Sequence, residues 1–148
     1  MAALAFARLG DEREARRLEE FAAALIPPHA SLGQEPAYLR LLLQRGDLDE
    51  VRQVLDADPG AYVWTDVDYQ PARLDGLAAV GDTAHVEAEA PPLLRAGGYG
   101  EPFALRALGR VRGDGSLVEL AAARFEAMGL RWHAHETRVL RSALREPS

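Results

Sequence analysis

Apolar residues along the chain fall into short helical runs, and four of these runs stop on the same dipeptide. The runs LAFARLGD, LRLLLQRGD, LDGLAAVGD and LRALGRVRGD end at Gly10-Asp11, Gly46-Asp47, Gly81-Asp82 and Gly113-Asp114, spaced 36, 35 and 32 residues apart. A second mark keeps the same phase. Glu35-Pro36, Gln70-Pro71 and Glu101-Pro102 put a proline 10, 10 and 11 residues before the second, third and fourth glycine. Proline suits the first helical turn, where its missing N–H costs nothing. Glycine suits the left-handed position just past a helix end, and Asp behind it caps the next helix through its carboxylate. Each period therefore predicts helix, reversal, helix: an αα-hairpin repeated at about 34 residues, the period of helical solenoids.

The helical faces fit that reading. Ala104, Ala107, Leu108 and Val111 share one stripe, and Leu117, Ala121, Phe125 and Met128 share another. Leu48, Val51 and Leu55 do the same in the second period, as do Ala15, Leu18, Ala22 and Leu25 in the first. Small residues such as Ala22, Ala107 and Ala121 let neighbouring helices approach. The prediction is a single all-α domain over 1–148, a tetratricopeptide-like αα-hairpin solenoid of eight or nine helices in a right-handed stack. Its repeats cover approximately 1–34, 35–69, 70–100 and 101–129, with a capping helix at 130–145. That last helix turns Leu130, Ala134, Thr137, Leu140 and Leu144 inward and Arg131, Arg138, Arg141 and Arg145 to water, as a solenoid cap requires. Three stretches interrupt the pattern. Pro91-Pro92 ends or kinks a helix near Ala90. Gly97 to Gly100 forms a connection, and 57–69 is a loop, an extended piece or an early start to the next helix.

Composition narrows the chemistry. The chain has 148 residues, 48% of them hydrophobic, enough for one domain with a substantial core. With no Cys there are no disulfides, thiolate metal sites or cysteine nucleophiles. All 17 basic residues are Arg, so no Walker-type phosphate loop and no Schiff-base lysine exists. A net charge of −6 argues against general affinity for nucleic acid. The charge is uneven, with 18 acids against 9 Arg in 1–101 and 5 against 8 in 102–148. No apolar run approaches the ~20 residues of a bilayer span and no secretory leader is present at the start, so a cytoplasmic protein without membrane contact is expected.

Candidate chemistry is sparse. His133 and His135 stand two apart, which on a helix points them about 200° from one another and spoils a shared metal site. Asp66 and Asp68 beside Tyr69 read as capping or solvated acids. GDGS at 113–116 lacks the strand and spacing of a hydrolase elbow. The two Arg-Gly-Asp triplets, 45–47 and 112–114, are helix punctuation: Arg favours a helix C-terminus, Gly closes it and Asp opens the next. No catalytic residue, cofactor or metal is predicted.

The stretch LLRAGGYGEPFALRALGRVRGDGSLVELAAARFEAMGLRWHAHETR, residues 93–138, resembles the C-terminal tetratricopeptide-like repeats of large bacterial ATPase/cyclase-linked transcriptional regulators, though the Trp and Tyr of the strict repeat's first helix are absent. The resemblance implies a non-catalytic interaction or scaffolding module, the C-terminal part of a larger bacterial regulator, with a protein or peptide as partner. Tyr38, Tyr62, Trp64 and Trp132 are its candidate contacts. The alternative is a small-molecule sensor holding a ligand between the second and third repeats near Trp64, Asp66 and Tyr69. The first helix, MAALAFARL, is apolar all round, so the expectation is either preceding repeats or self-association through that helix.

Overall fold

A computed structural model of the chain describes residues 2–25, 35–57 and 67–145. Tyr62, Trp64 and Asp66 lie outside the described residues, as does most of the 57–69 interruption. Among the described residues the structure is all-helical, with no strand. The elements are α1 (Ala2–Arg8), α2 (Glu12–Leu25), α3 (Pro36–Arg45), α4 (Leu48–Asp56), α5 (Tyr69–Ala79), α6 (Thr83–Glu89), α7 (Glu101–Arg112), α8 (Gly115–Ala127) and α9 (Arg131–Ala143). A short 3-10 turn, Pro91–Leu93, follows α6. The prolines act as the sequence implies: Pro36 opens α3, Pro102 sits in the first turn of α7, and α6 ends at Glu89 before Pro91-Pro92. Helix α5 begins at Tyr69, two residues ahead of Pro71, so the end of the 57–69 interruption is an early helix start.

Every Gly-Asp reversal has one geometry. Gly10, Gly46, Gly81 and Gly113 all adopt left-handed φ, between 65° and 81°. At each, the Asp N–H reaches back five residues to close the finished helix: Asp11 to Phe6 O, Asp47 to Leu42 O, Asp82 to Leu77 O and Asp114 to Gly109 O, at 2.8–3.1 Å. The same Asp side chain then accepts from the new helix, from the N–H of Glu14, Glu50, His85, and Ser116 with Leu117. A fifth reversal with this backbone, unmarked in the sequence by Asp, is Gly129-Leu130, where Leu130 N–H bonds Phe125 O at 2.9 Å.

The chain forms two compact units, residues 1–76 and 77–148, their boundary falling within α5. In the first unit α1 packs on both α2 and α3, and α3 on α4. Its core holds Leu4, Ala15, Leu39, Leu41, Leu42, Val51 and Leu74. Gly76 admits Leu39 and Leu55 against α5, where an added Cβ would sit 3.3–3.4 Å from their methyl groups. The predicted stripe of α2 is buried only in its first half: Ala22 and Leu25 lie exposed. The reason is length, since α1 at about 10 Å cannot cover an α2 of about 21 Å.

In the second unit α7 packs between α6 and α8, and α8 against α9. Nine consecutive residues of α7, Glu101 to Gly109, are buried, making it the central helix of the unit. Phe103, Leu105, Ala121, Phe125 and Ala134 form a shared core. Met128, expected on the inner stripe of α8, is 40% exposed because α8 stops at Ala127 and the chain turns away. On α9, Ala134 and Thr137 are buried and Arg131, Arg138 and Arg145 exposed as predicted, but Arg141 is tucked in, its guanidinium lying against Gly115.

These contacts order three glycine substitutions. Nothing lies within 4 Å of a Cβ added at Gly113, so Gly113→Val isolates the conformational cost of φ 65°; the expected loss is about 1 kcal/mol or more. An added Cβ at Gly109 would stand 2.7 Å from Val118 Cγ2 and 3.0 Å from the Asp114 carbonyl. Gly109→Ala should therefore cost about 1–3 kcal/mol through forced separation of α7 and α8. Gly115→Ala meets the guanidinium end of the Arg141 side chain, which can swing aside more readily than backbone, and should cost least. Denaturant midpoints of the three variants check the order.

Candidate interaction surfaces

Two buried arginines anchor the two units, at equivalent places in the repeat. Both stand four residues after the phased proline, in Pro36-x-x-Leu39-Arg40 and Pro102-x-x-Leu105-Arg106; the third repeat has Pro71-x-x-Leu74-Asp75. Arg40 and Arg106 are each only 8% exposed.

Arg40 is held by carboxylates. Its Nη2 and Nε donate to the two oxygens of Asp68 at 3.0 and 3.3 Å, and its Nη1 donates to Asp75 at 2.7 Å. Burial works against the charge, and the Asp75 and Asp68 carboxylates outweigh it, keeping the guanidinium above its ordinary value. Arg40 and Asp75 stand the same distance after Pro36 and Pro71, so α3 and α5 meet through side chains at equivalent sequence positions.

Near this cluster is a shallow hollow of about 240 Å³, counting space open to solvent, where α3, α4 and α5 converge. Pro36, Leu39, Val54 and Leu55 make its apolar wall, and Glu35, Tyr69 and Arg73 its polar edge. Arg73 donates to the Leu55 carbonyl at 3.2 Å. Tyr69 is 8% exposed, a wall residue more than a surface contact. Tyr38 donates its hydroxyl to Glu50 at 2.7 Å. Burial first, and then that bond, push its phenol above the ordinary value.

Arg106 is held by aromatic rings, a hydroxyl and a carbonyl. Its guanidinium lies 4.8 Å from the Phe125 ring centre and 5.4 Å from that of Phe103. It donates to Thr137 Oγ1 at 3.1 Å and to the His133 carbonyl at 3.4 Å. The Thr137 hydroxyl donates to that same carbonyl at 2.6 Å. Close by on α7, Glu101 is buried and accepts the Gly97 N–H at 2.9 Å, which ties the 97–100 connection down.

The arginines of the two Arg-Gly-Asp triplets prove to be staples. Arg45 reaches α2, pairing with Glu12 at 2.6 Å and Glu19 at 2.7 Å. Arg112 reaches α6, forking onto both oxygens of Glu87 at 2.6 and 2.5 Å. Each ties the end of a first helix to the second helix of the preceding hairpin.

Of the residues the sequence singled out, Tyr38 and Tyr69 border the α3–α4–α5 region, while Trp132 lies on α9, 6.4 Å from His135 between ring centres. Asp68, read as a solvated or capping acid, is instead a partner of Arg40. His133 is tucked inward and His135 exposed, the divergence that helical spacing dictates. Among the described residues no group of three or more His and acidic side chains converges on a metal-sized space, and no helix is long and apolar enough to cross a membrane. Sequence reasoning missed Arg40 and Arg106; their fixed distance from the phased prolines was the available signal. It also missed the bare end of α2, where Phe21 and Leu25 are 62% and 67% exposed and Ala22 to Ala24 lie exposed between them. Compared with protein-family models, with curated proteins and with solved structures, the chain matches none.

The Arg40 cluster has a measurable signature. Arg40→Met removes a buried counter-charge from the Asp75 carboxylate, 11% exposed, and should cost about 3–5 kcal/mol. Adding Asp75→Leu removes the buried carboxylate as well and should recover part of the loss. Asp68→Asn should cost less than Arg40→Met, because Asp68 is 32% exposed and water can replace its bonds. Chemical denaturation at constant slope measures all three.

Proposed function

We propose that the chain is a non-catalytic protein-interaction or scaffolding module built of tetratricopeptide-like hairpins, of the kind found in the C-terminal region of large bacterial regulators. The observation that carries the reading is the far end of α2. Phe21 and Leu25 stand 62% and 67% exposed, with three exposed alanines between them. Contiguous apolar surface of this kind marks a contact surface when it is set in polar surroundings, and here Glu19 and Glu20 flank it. The acidic balance of the first compact unit, 14 acids against 8 Arg in 1–76, favours a protein or peptide over nucleic acid.

The phased features support the hairpin array. Four identical reversals and the Arg40–Asp75 pair between equivalent repeat positions suit stacked hairpins. The sensor alternative is less well supported. The hollow beside Tyr69 has a cavity volume of about 10 Å³, room for about one water and far below the roughly 300–1,000 Å³ of small-molecule sites.

A photo-crosslinking amino acid at position 21, compared with one at Ser142 on the exposed side of α9, tests the reading in cells. Discrete adducts from position 21 and none from position 142 are the expected result. Equal patterns from both positions would count against it. A metabolite screen by thermal shift should give no stabilisation; a clear rise with one compound would favour the sensor.

A further inference from the structure

The first hairpin leaves open a face that later hairpins have covered. Ala5 and Leu9 stand five residues and one residue before Gly10, one turn apart on the same side of α1, and both are exposed, Leu9 at 81%. The same distances before Gly46 pick out Leu41 and Arg45, and before Gly113 they pick out Leu108 and Arg112. There the face is occupied. Leu41 and Leu108 are 2% and 3% exposed. Helix α1 packs on α3 and α6 on α7, and Arg45 and Arg112 pair with glutamates of α2 and α6. Helices α3 and α7 thus receive the second helix of the preceding hairpin on this side.

A helix that covers Ala5 and Leu9 in the same way differs from α2 and α6 in one respect. The arginines call for carboxylates, whereas Leu9 and Ala5 offer apolar surface, so the incoming helix has to bring apolar side chains. This chain carries such a helix. The end of α2, itself the second helix of a hairpin, shows Phe21 and Leu25 one turn apart, 62% and 67% exposed. They sit roughly 200–240° around the helix from Glu19, so engaging them leaves the Arg45 pairs intact. The short side chain of Ala5 leaves room for them where leucines stand in the later hairpins. We propose that two copies of the chain pair about a two-fold axis, the end of α2 from each docking on Ala5 and Leu9 of the other. Both patches lie on one hairpin, so the contact is made twice and the assembly closes. The inference rests on the reading of the α2 end as a contact surface and names its partner.

Light scattering on the purified full chain from about 10 to about 500 μM, the span of weak association, should show the mass rising toward twice that of the monomer. Ala5→Glu and Phe21→Lys each set an unpaired charge against apolar surface, and each alone should weaken dimerisation about tenfold or more. Mixed in equal amounts, the two variants should regain the dimer. A mixed pair has one native contact and one in which the introduced carboxylate meets the introduced ammonium. A monomer at every concentration, a variant that dimerises undiminished, or a mixture no better than its parts overturns the inference. Should either variant not fold, a photo-crosslinking amino acid at position 21, with light and isotope-labelled copies mixed, replaces it. Linkage to residues 2–9 of the other copy is expected, and linkage elsewhere or none between copies overturns the inference. Adducts from position 21 to other proteins, with a monomeric chain, would remove the two-fold pairing and leave the α2 reading standing.

Discussion

The reversal between consecutive helices is made by two residues, and both must do two things. A helix ends with unpaired carbonyls and the next begins with unpaired N–H groups. At each Gly-Asp stop the left-handed glycine swings the chain so that the Asp N–H serves the old helix, and the Asp carboxylate serves the new one. A residue with a Cβ resists that φ, and a residue without a short acceptor leaves the next helix uncapped. With so short a link, the two helices of a hairpin have little freedom in how they leave the corner. Packing then follows from the corner. The close approach of α7 and α8 at Gly109 occurs where that residue's own carbonyl accepts the Asp114 N–H. Gly129-Leu130 shows which half of the device is dispensable: its backbone closure persists without an Asp, and α9 starts with no side-chain cap.

Within this frame, the position four residues past the proline is where buried charge is admitted. It faces inward on the first helix of a hairpin, so a long side chain there must find its partners inside. Arg40 finds two carboxylates and Arg106 finds two rings, a hydroxyl and a carbonyl. Both solutions satisfy the rule that a buried cation needs directed partners. They differ in who supplies them. Asp75 comes from the equivalent place in the next repeat, whereas Thr137 and His133 come from α9, which follows the last phased stop.

What could be read from the sequence was whatever depends on backbone conformation over a few residues. The four reversals, the proline starts, the break at Pro91-Pro92 and the divergent His133 and His135 all follow from local rules and all appear in the structure. What could not be read depended on lengths and on partners far along the chain. The amphipathic pattern of α2 looks alike from Ala15 to Leu25, yet only its first half meets α1, because α1 is short. Asp68 looked like a solvated acid until α5 was seen to set it against Arg40. Arg45 and Arg112 looked like helix-end charges, and their carboxylate partners lie 26 and 25 residues away. Tyr69 was a candidate contact, and its burial follows from α5 starting at that residue.

The two arginine staples explain why a triplet with a well-known association elsewhere carries no such meaning in its setting here. In Arg45-Gly46-Asp47 and Arg112-Gly113-Asp114, the glycine is committed to a left-handed corner and the aspartate to a cap. The arginine is turned back onto the preceding hairpin. A receptor that needs the cation and the carboxylate free together would have to break a helix cap and an ion pair to obtain them. Breaking the cap alone costs about 1 kcal/mol, before the loss of the Arg45 bonds to Glu12 and Glu19. Side chains without such a task stand, among the described residues of the first compact unit, at the end of α2, where Phe21 and Leu25 lie exposed. The recurring Gly and Asp serve the corners, and the apolar side chains at the end of α2 serve no contact of their own helix pair.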